Sequence, residues 1–279
     1  MSTSGESEAI DRARDGPPAT IQSLRADLLS LGLPVGATVL VHSSMKSLGW
    51  VSGGPVAVIL ALEMALGREG TLVMPTHSSD LSDPAYWRNP PVPAAWWPVI
   101  RDTMPAFDPD LTPTRGMGKI PETFRRGRGV VRSRHPNVSF AAKGPLAGRI
   151  TADHGLDYSL GERSPLARLY ELDGWVLLLG VGHQNNTSLH LAEYRADFPG
   201  RREMTNGAPI LDTDGRRVWV PIHDIDLNDE DFPLIGEAFE GETGAARVGG
   251  VGRATARLMP QRALVDYGVR WMEANRAGG

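Results

Sequence analysis

Residues 37–75 read ATVLVHSSMKSLGWVSGGPVAVILALEMALGREGTLVMP, and this stretch decides the fold class. ATVLVH (37–42) is a continuous apolar run of strand length, which predicts a strand buried on both faces. A hydroxyl- and glycine-rich loop follows, and Gly53, Gly54 and Pro55 open an apolar helix that runs to Leu66. TLVMP (71–75) is a second short apolar strand. A strand, a crossover helix and another strand imply parallel pairing, hence an α/β sheet.

Further along the chain, WVLLLGVG (175–182) reads as a third strand buried on both faces. It leads into a helix over TSLHLAEYRA (187–196), which Asn186 or Thr187 is placed to cap. Upstream, Thr20 caps a helix over 21–31 that Gly32 closes, and residues 1–19 read as a disordered leader. Between Pro84 and Pro113 the pattern breaks into a stretch with eight prolines and Trp87, Trp96 and Trp97. A long ordered loop of this kind is either a lid or binding wall, or a structural flap over exposed core. Beyond Arg201, alternating segments and acidic loops suggest a smaller β-containing part, and a helix from Pro260 to about Asn275 closes the chain. The expected architecture is one domain over 20–279. It is a three-layer α/β sandwich around a mostly parallel central sheet, with the smaller β-containing part at its C-terminal end.

The 279 residues are ample for such a core, and 41% apolar with 22% charged is an ordinary globular composition. There is no cysteine, which excludes a thiol nucleophile, disulfides and a thiolate metal site. The polar N-terminus does not read as a signal peptide. The most apolar run, Pro55 to Leu66, contains Glu63 and is too short to span a bilayer. A cytoplasmic location is therefore expected, with neither a membrane nor nucleic acid as a partner.

Charge is distributed unevenly. Seven basic residues between Arg115 and Arg134 face one acid, Glu122, whereas Val218 to Ala246 holds eight acids and no Lys or Arg. Runs of this kind are commonly solvated faces. Taken together they also suit a protein that binds a polyanion on one side and a polycation on the other.

Three stretches carry residues suited to chemistry. VHSSMKSLGWVSGGP (41–55) runs from a strand to a helix N-terminus, where backbone N–H groups with Ser43, Ser44, Lys46 and Ser47 suit phosphate or amide groups. RSRHPNVSF (132–140) sets His135 before a proline in basic surroundings, a residue that either contacts a phosphate or pantetheine chain or is structural. In TSLHLAE (187–193), His190 and Glu193 are three apart on one helix and share a face. A carboxylate on one imidazole nitrogen fixes the tautomer and makes the other nitrogen a competent general base. This helix follows a buried strand, at the edge where open α/β sheets place their active sites. His183 lies at the same edge, which raises a zinc site shared with His190; no third ligand stands at metal spacing, and no metal is expected. GxSxG, HExxH, GxxxxGK[ST] and GxGxxG motifs are absent.

The strings VHSSMKSLGWVSGGP, GTLVMPTHSS, GKIPETFRR, VVRSRHPNVSFAAKGP, SPLARLYELDGWVLLLGVGHQNNTSLHLAEYRA and LMPQRALVDYGVRWME follow one another in that order. Together they resemble the aminoglycoside 3-N-acetyltransferase family from about residue 20 to 275. The HPNVSFAA and NNTSLHLAE blocks are the specific part of the likeness. The resemblance implies transfer of an acetyl group from acetyl-CoA to the 3-amino group of a 2-deoxystreptamine ring, and hence aminoglycoside resistance. It implies His190 as general base oriented by Glu193. Ser43, Ser44, Lys46, Ser47, His135 and Ser139 would lie along the cofactor. Asp80 would meet the cationic drug, joined by Glu193 and by acids of the later run, among them Asp224, Asp229, Glu230 and Asp231. Residues 20–200 would then supply the cofactor and catalytic part and 201–279 the substrate side, in a monomer or homodimer. Acyl transfer from a thioester to an amine needs a base, oxyanion donors and proximity, but no nucleophilic side chain. The lack of cysteine is compatible with that. Rival readings are an acetyltransferase for a different amine, a hydrolase using His183, His190 and a metal, and a non-catalytic binding module.

Overall fold

A computed structural model describes residues 16–276. The leader expected over 1–19 falls mostly outside them; of its last residues, Ala19 pairs with Val51 in an isolated parallel bridge. The chain then enters α1 (Ile21–Ser30), where the Thr20 side chain accepts the Ser23 N–H and Ser23 returns the bond in a capping box. The strand–helix–strand unit read from residues 37–75 forms as β1 (Thr38–Ser43), α2 (Gly54–Leu66) and β2 (Thr71–Pro75). Strand β5 (Trp175–Leu179) pairs with the other edge of β1, in parallel, with Leu40 opposite Val176.

Parallel pairing stops there. Strands β3 (Val131–Arg132) and β4 (Phe140–Lys143) extend the β2 side, and β8 (Arg247–Val251) and β9 (Ala254–Pro260) extend the β5 side, every one antiparallel to its neighbour. The seven-stranded sheet, in order β3-β4-β2-β1-β5-β9-β8, is therefore mixed and not mostly parallel as expected. The reason lies in the connections. The β1–β2 link is a single crossover helix that brings the chain back in parallel, while β8 and β9 are joined by a tight turn that allows antiparallel pairing alone. Likewise, only β6 (Glu203–Leu211) and β7 (Arg217–Ile225) of the C-terminal strands stand apart from the main sheet, as a hairpin.

Alternation along the strands divides the core between two faces. Val39, Val41, Leu72, Met74, Leu177 and Leu179 point to α1, α2 and α4 (Lys119–Phe124). Leu40, Val73, Val176 and Leu178 point to α5 (Ala147–Thr151), α6 (Pro165–Glu171), α7 (Ser188–Arg195), α8 (Phe232–Thr243) and α9 (Gln261–Asn275). Helices thus cover both faces, and each fully buried Leu or Val contributes about 1.5–3 kcal/mol. Among the described residues, no helix is long and apolar enough to cross a membrane.

Two close approaches set the helices that carry the site. A Cβ on Gly268 of α9 would stand 3.0 Å from Ala192 Cβ of α7, so the glycine lets these helices meet. A Cβ on Gly236 of α8 would stand 1.9 Å from His183 Cγ. The proline-rich stretch, with α3 (Trp97–Thr103) inside it, lies against the hairpin: Phe107 N–H donates to Pro209 O at 3.0 Å and Tyr86 Oη to Thr205 O at 3.0 Å. It behaves as a buttress.

The His183 ring is buried and its Nε2 is held by Glu240 at 2.8 Å, so it cannot yield to a new methyl group. Gly236→Ala should therefore destabilise the protein by about 1–3 kcal/mol, the usual cost of overpacking. Urea unfolding checks this: the wild-type midpoint should drop in the single variant, and H183A/G236A should cost less than the two single changes together.

Candidate active site

The C-terminal ends of β1, β2 and β5 open on one cavity of about 980 Å3. Its wall is built from the loop after β1, the N-terminus of α2, the start of α4, the turn before α7 and the loop before α8. This is the strand edge at which an open α/β sheet offers free backbone groups and loops for binding.

His190 of α7 lines this cavity. Its Nδ1 is 2.5 Å from Glu193 Oε2, and its ring packs on Phe232 with centroids 4.8 Å apart. Glu193 is only 1% exposed, so its carboxylate needs partners inside the protein. Besides His190 it accepts the Asn228 N–H at 3.0 Å and Arg276 Nη1 at 2.8 Å, both on Oε1. With Nδ1 engaged, Nε2 is the imidazole nitrogen left for a bound molecule. Just ahead of helix α7, whose N-cap Thr187 makes no side-chain capping bond, Asn186 Oδ1 accepts the Ser188 N–H at 3.3 Å and ties the first turn to the cavity wall.

Two further histidines line the cavity, and neither was among the sequence candidates. His42 at the end of β1 holds its Nε2 3.3 Å from Thr187 Oγ1. His77, just past β2, has its Nε2 buried with no hydrogen-bond partner. Burial, reinforced by the neighbouring His190, pushes both down to about 3, so both rings are neutral. The signal was present: His42 closes the apolar run of β1 and His77 follows β2 by two residues, at the end where sites form.

The other candidates divide clearly. Ser43, Ser44 and Lys46 line the cavity, and Ser43 Oγ is buried there without a hydrogen-bond partner. Ser47 does not line it; its hydroxyl donates to Gly180 O at 2.8 Å and ties the loop to the end of β5. His135 is buried behind the wall. Its Nδ1 accepts the Asn137 and Val138 N–H groups, and its Nε2 donates to Leu156 O at 3.1 Å. Ser139 donates to Thr76 O at 2.8 Å and accepts Arg132 Nε at 2.9 Å. These three side chains are committed to internal bonds and support the wall from behind.

Of the basic block only Lys119 reaches the cavity. Arg115 pairs with Asp80, Arg125 and Arg126 with Glu122, and Arg132 is buried on backbone carbonyls. Asp80, engaged by Arg115 at 2.6 Å on an exposed loop, does not line the cavity. Nor do Asp224, Glu230 or Asp231. Asp224 is buried and accepts from Ser159 and Tyr194, which pins the hairpin to the 158–160 turn. Asp231 is held by Arg276, and Glu230 is exposed. Asp229 is the acidic side chain of this run at the cavity wall. Glu193 reaches the site only through His190.

His183 does not join His190. It is buried against Gly236, and Glu240, which holds it, also receives Arg257. Among the described residues no three His, Asp or Glu side chains are grouped to hold a metal ion.

A carboxylate-braced imidazole at the wall of a large cavity is the equipment of an enzyme that removes a proton from a bound substrate. Comparison with known proteins gives the family. Residues 40–273 match the family model of aminoglycoside 3-N-acetyltransferases, and the chain belongs to that family. It is 48% identical over 259 residues to the Bacillus subtilis SPbeta prophage-derived aminoglycoside N(3')-acetyltransferase-like protein YokD, covering 92% of this chain and 94% of that one. It is 43% identical to aminoglycoside N(3)-acetyltransferase VII of Streptomyces paromomycinus, with 95% of each chain covered. The solved structure of AAC-IIIb in binary complex with CoASH superposes with a TM-score of 0.83 at 35% identity, covering 94% of this chain and 99% of that one.

The buried imidazoles give the fold a pH dependence. His42 and His77 are held down to about 3 and His135 to about 4, in each case chiefly by burial, and His154 is also pushed well down by burial. Below pH 6.5 the unfolded chain takes up protons that the folded chain refuses, so stability falls as pH falls. The loss runs from about pH 6.5 towards 3–4 and approaches about 1.4 kcal/mol per pH unit for each such histidine. Urea midpoints measured at pH 7.5, 6 and 5 should fall in that order; equal midpoints would contradict the burial of neutral imidazoles.

Proposed function

We propose that the protein transfers an acetyl group from acetyl-CoA to the 3-amino group of the 2-deoxystreptamine ring of aminoglycosides. The observation that carries this reading is the 2.5 Å His190–Glu193 contact at the wall of the cavity between β1, β2 and β5.

In this reading acetyl-CoA supplies the acetyl group as a thioester. The residues suited to hold it are Ser43, Ser44 and Lys46 after β1, Lys119 at the start of α4, and the N-terminus of α2. Two features fit a ligand with phosphate and amide groups. The Ser43 hydroxyl is buried in the wall with nothing to bond, and α2 begins after Gly53 without any side-chain cap, so the positive end of its dipole is at the wall. The unpartnered Nε2 of the neutral His77 adds a further polar atom in the wall.

The amine nitrogen bonds to the thioester carbonyl carbon as His190 Nε2 takes the proton it sheds, and Glu193 holds the ring by Nδ1 and stabilises the imidazolium that forms. The C–S bond then breaks, and the proton passes to the departing CoA sulfur, giving the amide and free CoA thiol. Asp229, the acidic residue of the 218–246 run that lines the cavity, receives an ammonium group of the drug. Residues 20–200 thus supply the cofactor side and 201–279, through Asp229 and Phe232, the substrate side. Use of acetyl-CoA supports a cytoplasmic site of action, and acetylation of the drug supports a role in resistance.

His190→Ala should lower kcat by about 10²–10⁴-fold with acetyl-CoA affinity retained, because the ring is not assigned to the cofactor. The part of the acid limb of kcat/KM that belongs to the imidazole should disappear in the same variant. Glu193→Gln should cost less than His190→Ala. A folded His190→Ala enzyme with near-native activity and an unchanged acid limb would overturn the reading. Steady-state kinetics on Asp229→Asn provide the substrate-side check. The KM for the amine should rise by about 1.4- to 5-fold, as for one ion pair of 0.2–1 kcal/mol, and more at low salt than at high salt. The KM for acetyl-CoA should stay where it is.

A further inference from the structure

The C-terminal end of the chain reaches back to the dyad. Arg276, the residue after α9, places Nη1 2.8 Å from Glu193 Oε1. Its Nε and Nη2 grip the two carboxylate oxygens of Asp231, each at 2.7 Å, and Nη2 also donates to Asn228 O at 2.8 Å. The guanidinium sits 5.0 Å over the Phe198 ring and the side chain is 12% exposed. Glu193 is therefore shared: Oε2 serves His190, while Oε1 serves Arg276 and the Asn228 N–H.

Such a cluster costs desolvation, and a neutral tail could close the helix end without it. What the charge adds is control of the dyad. A carboxylate beside an imidazole favours the protonated ring, and a guanidinium on the same carboxylate opposes that. Asp231 in turn takes up part of the guanidinium charge. The other titratable groups at the same cavity are Lys46 after β1, Lys119 at the start of α4, His42 and His77 from the strand ends, both neutral, and Asp229 from the loop before α8. The groups bonded to the Glu193 carboxylate are His190, the Asn228 N–H and Arg276.

We propose that Arg276 is a positioning residue of the acetyl transfer: by dividing its charge between Glu193 and Asp231 it tempers the pull of the Glu193 carboxylate on His190, whose Nε2 accepts the amine's proton. Through Asn228 O and Asp231 it also pins the loop from which Asp229 meets the cavity. The inference rests on His190 being the base.

The test is the pH profile of kcat/KM for the amine in wild type, R276Q, R276K, D231N and H190A; the ionisation of the amine itself is common to all five. In R276Q two carboxylates stand near one imidazole without a counter-charge. Its acid limb should move up by about one pH unit, with activity recovered on the alkaline side. R276K retains the charge and should keep the limb near its wild-type position. D231N leaves the whole guanidinium charge to Glu193, so its limb should move down. Limbs of R276Q and D231N coincident with wild type, or a loss in R276Q that is uniform at all pH values, would overturn the proposal. Should R276Q fail to fold, D231N decides alone, since a limb that does not move there is the same refutation. H190A keeps the two readings apart. A limb unchanged in H190A defeats the base assignment, whereas a limb that depends on His190 but ignores Arg276 defeats only this inference.

Discussion

A carboxylate that is 1% exposed must be given partners, and the partners of Glu193 tie together the segments beside the cavity. One oxygen meets His190 three residues back on the same helix. The other collects the Asn228 N–H from the loop before α8 and the Arg276 guanidinium from beyond α9. Three segments far apart in sequence are thereby fixed around one side chain. Removing any partner would leave charge in an apolar surrounding, which costs more than the bond itself is worth.

The sheet brings this cluster to the cavity. Parallel pairing of β1 with β2 and β5 sets the three strand ends side by side, so His42, His77 and the turn before α7 open on one space. Burial on both faces holds the strands, because alternate residues of the same apolar run belong to different halves of the core. The missing side chain of Gly268 lets α9 settle on α7 beside Ala192, two residues from His190. The place of the His190–Glu193 pair is thus set by packing away from the cavity.

Much of this was legible in the residues themselves. A continuous apolar run, a glycine–proline helix start and a second run fixed the parallel unit, since few other arrangements satisfy that order. The i,i+3 spacing marked His190 and Glu193 because helix geometry is local. Side-chain commitments across the fold are not local, and there the reading ran out. His135 looked able to meet a phosphate, yet its Nδ1 collects two N–H groups of its own turn. Asp80 and Asp224 looked free to meet a cation, but Arg115 holds one, and Ser159 and Tyr194 hold the other. Strands β8 and β9 pair antiparallel because the short turn between them leaves no room for a crossover, which an apolar pattern does not encode.

The central claim is that this cavity joins an acetyl thioester to one particular amine. The most direct measurement incubates the enzyme with acetyl-CoA and a 2-deoxystreptamine aminoglycoside, follows free thiol, and locates the new amide by two-dimensional NMR. The account predicts thiol release that depends on the drug, with a single acetyl group on the 3-amino nitrogen. Thiol release indifferent to the drug, or an acetyl group on a different nitrogen, would contradict it.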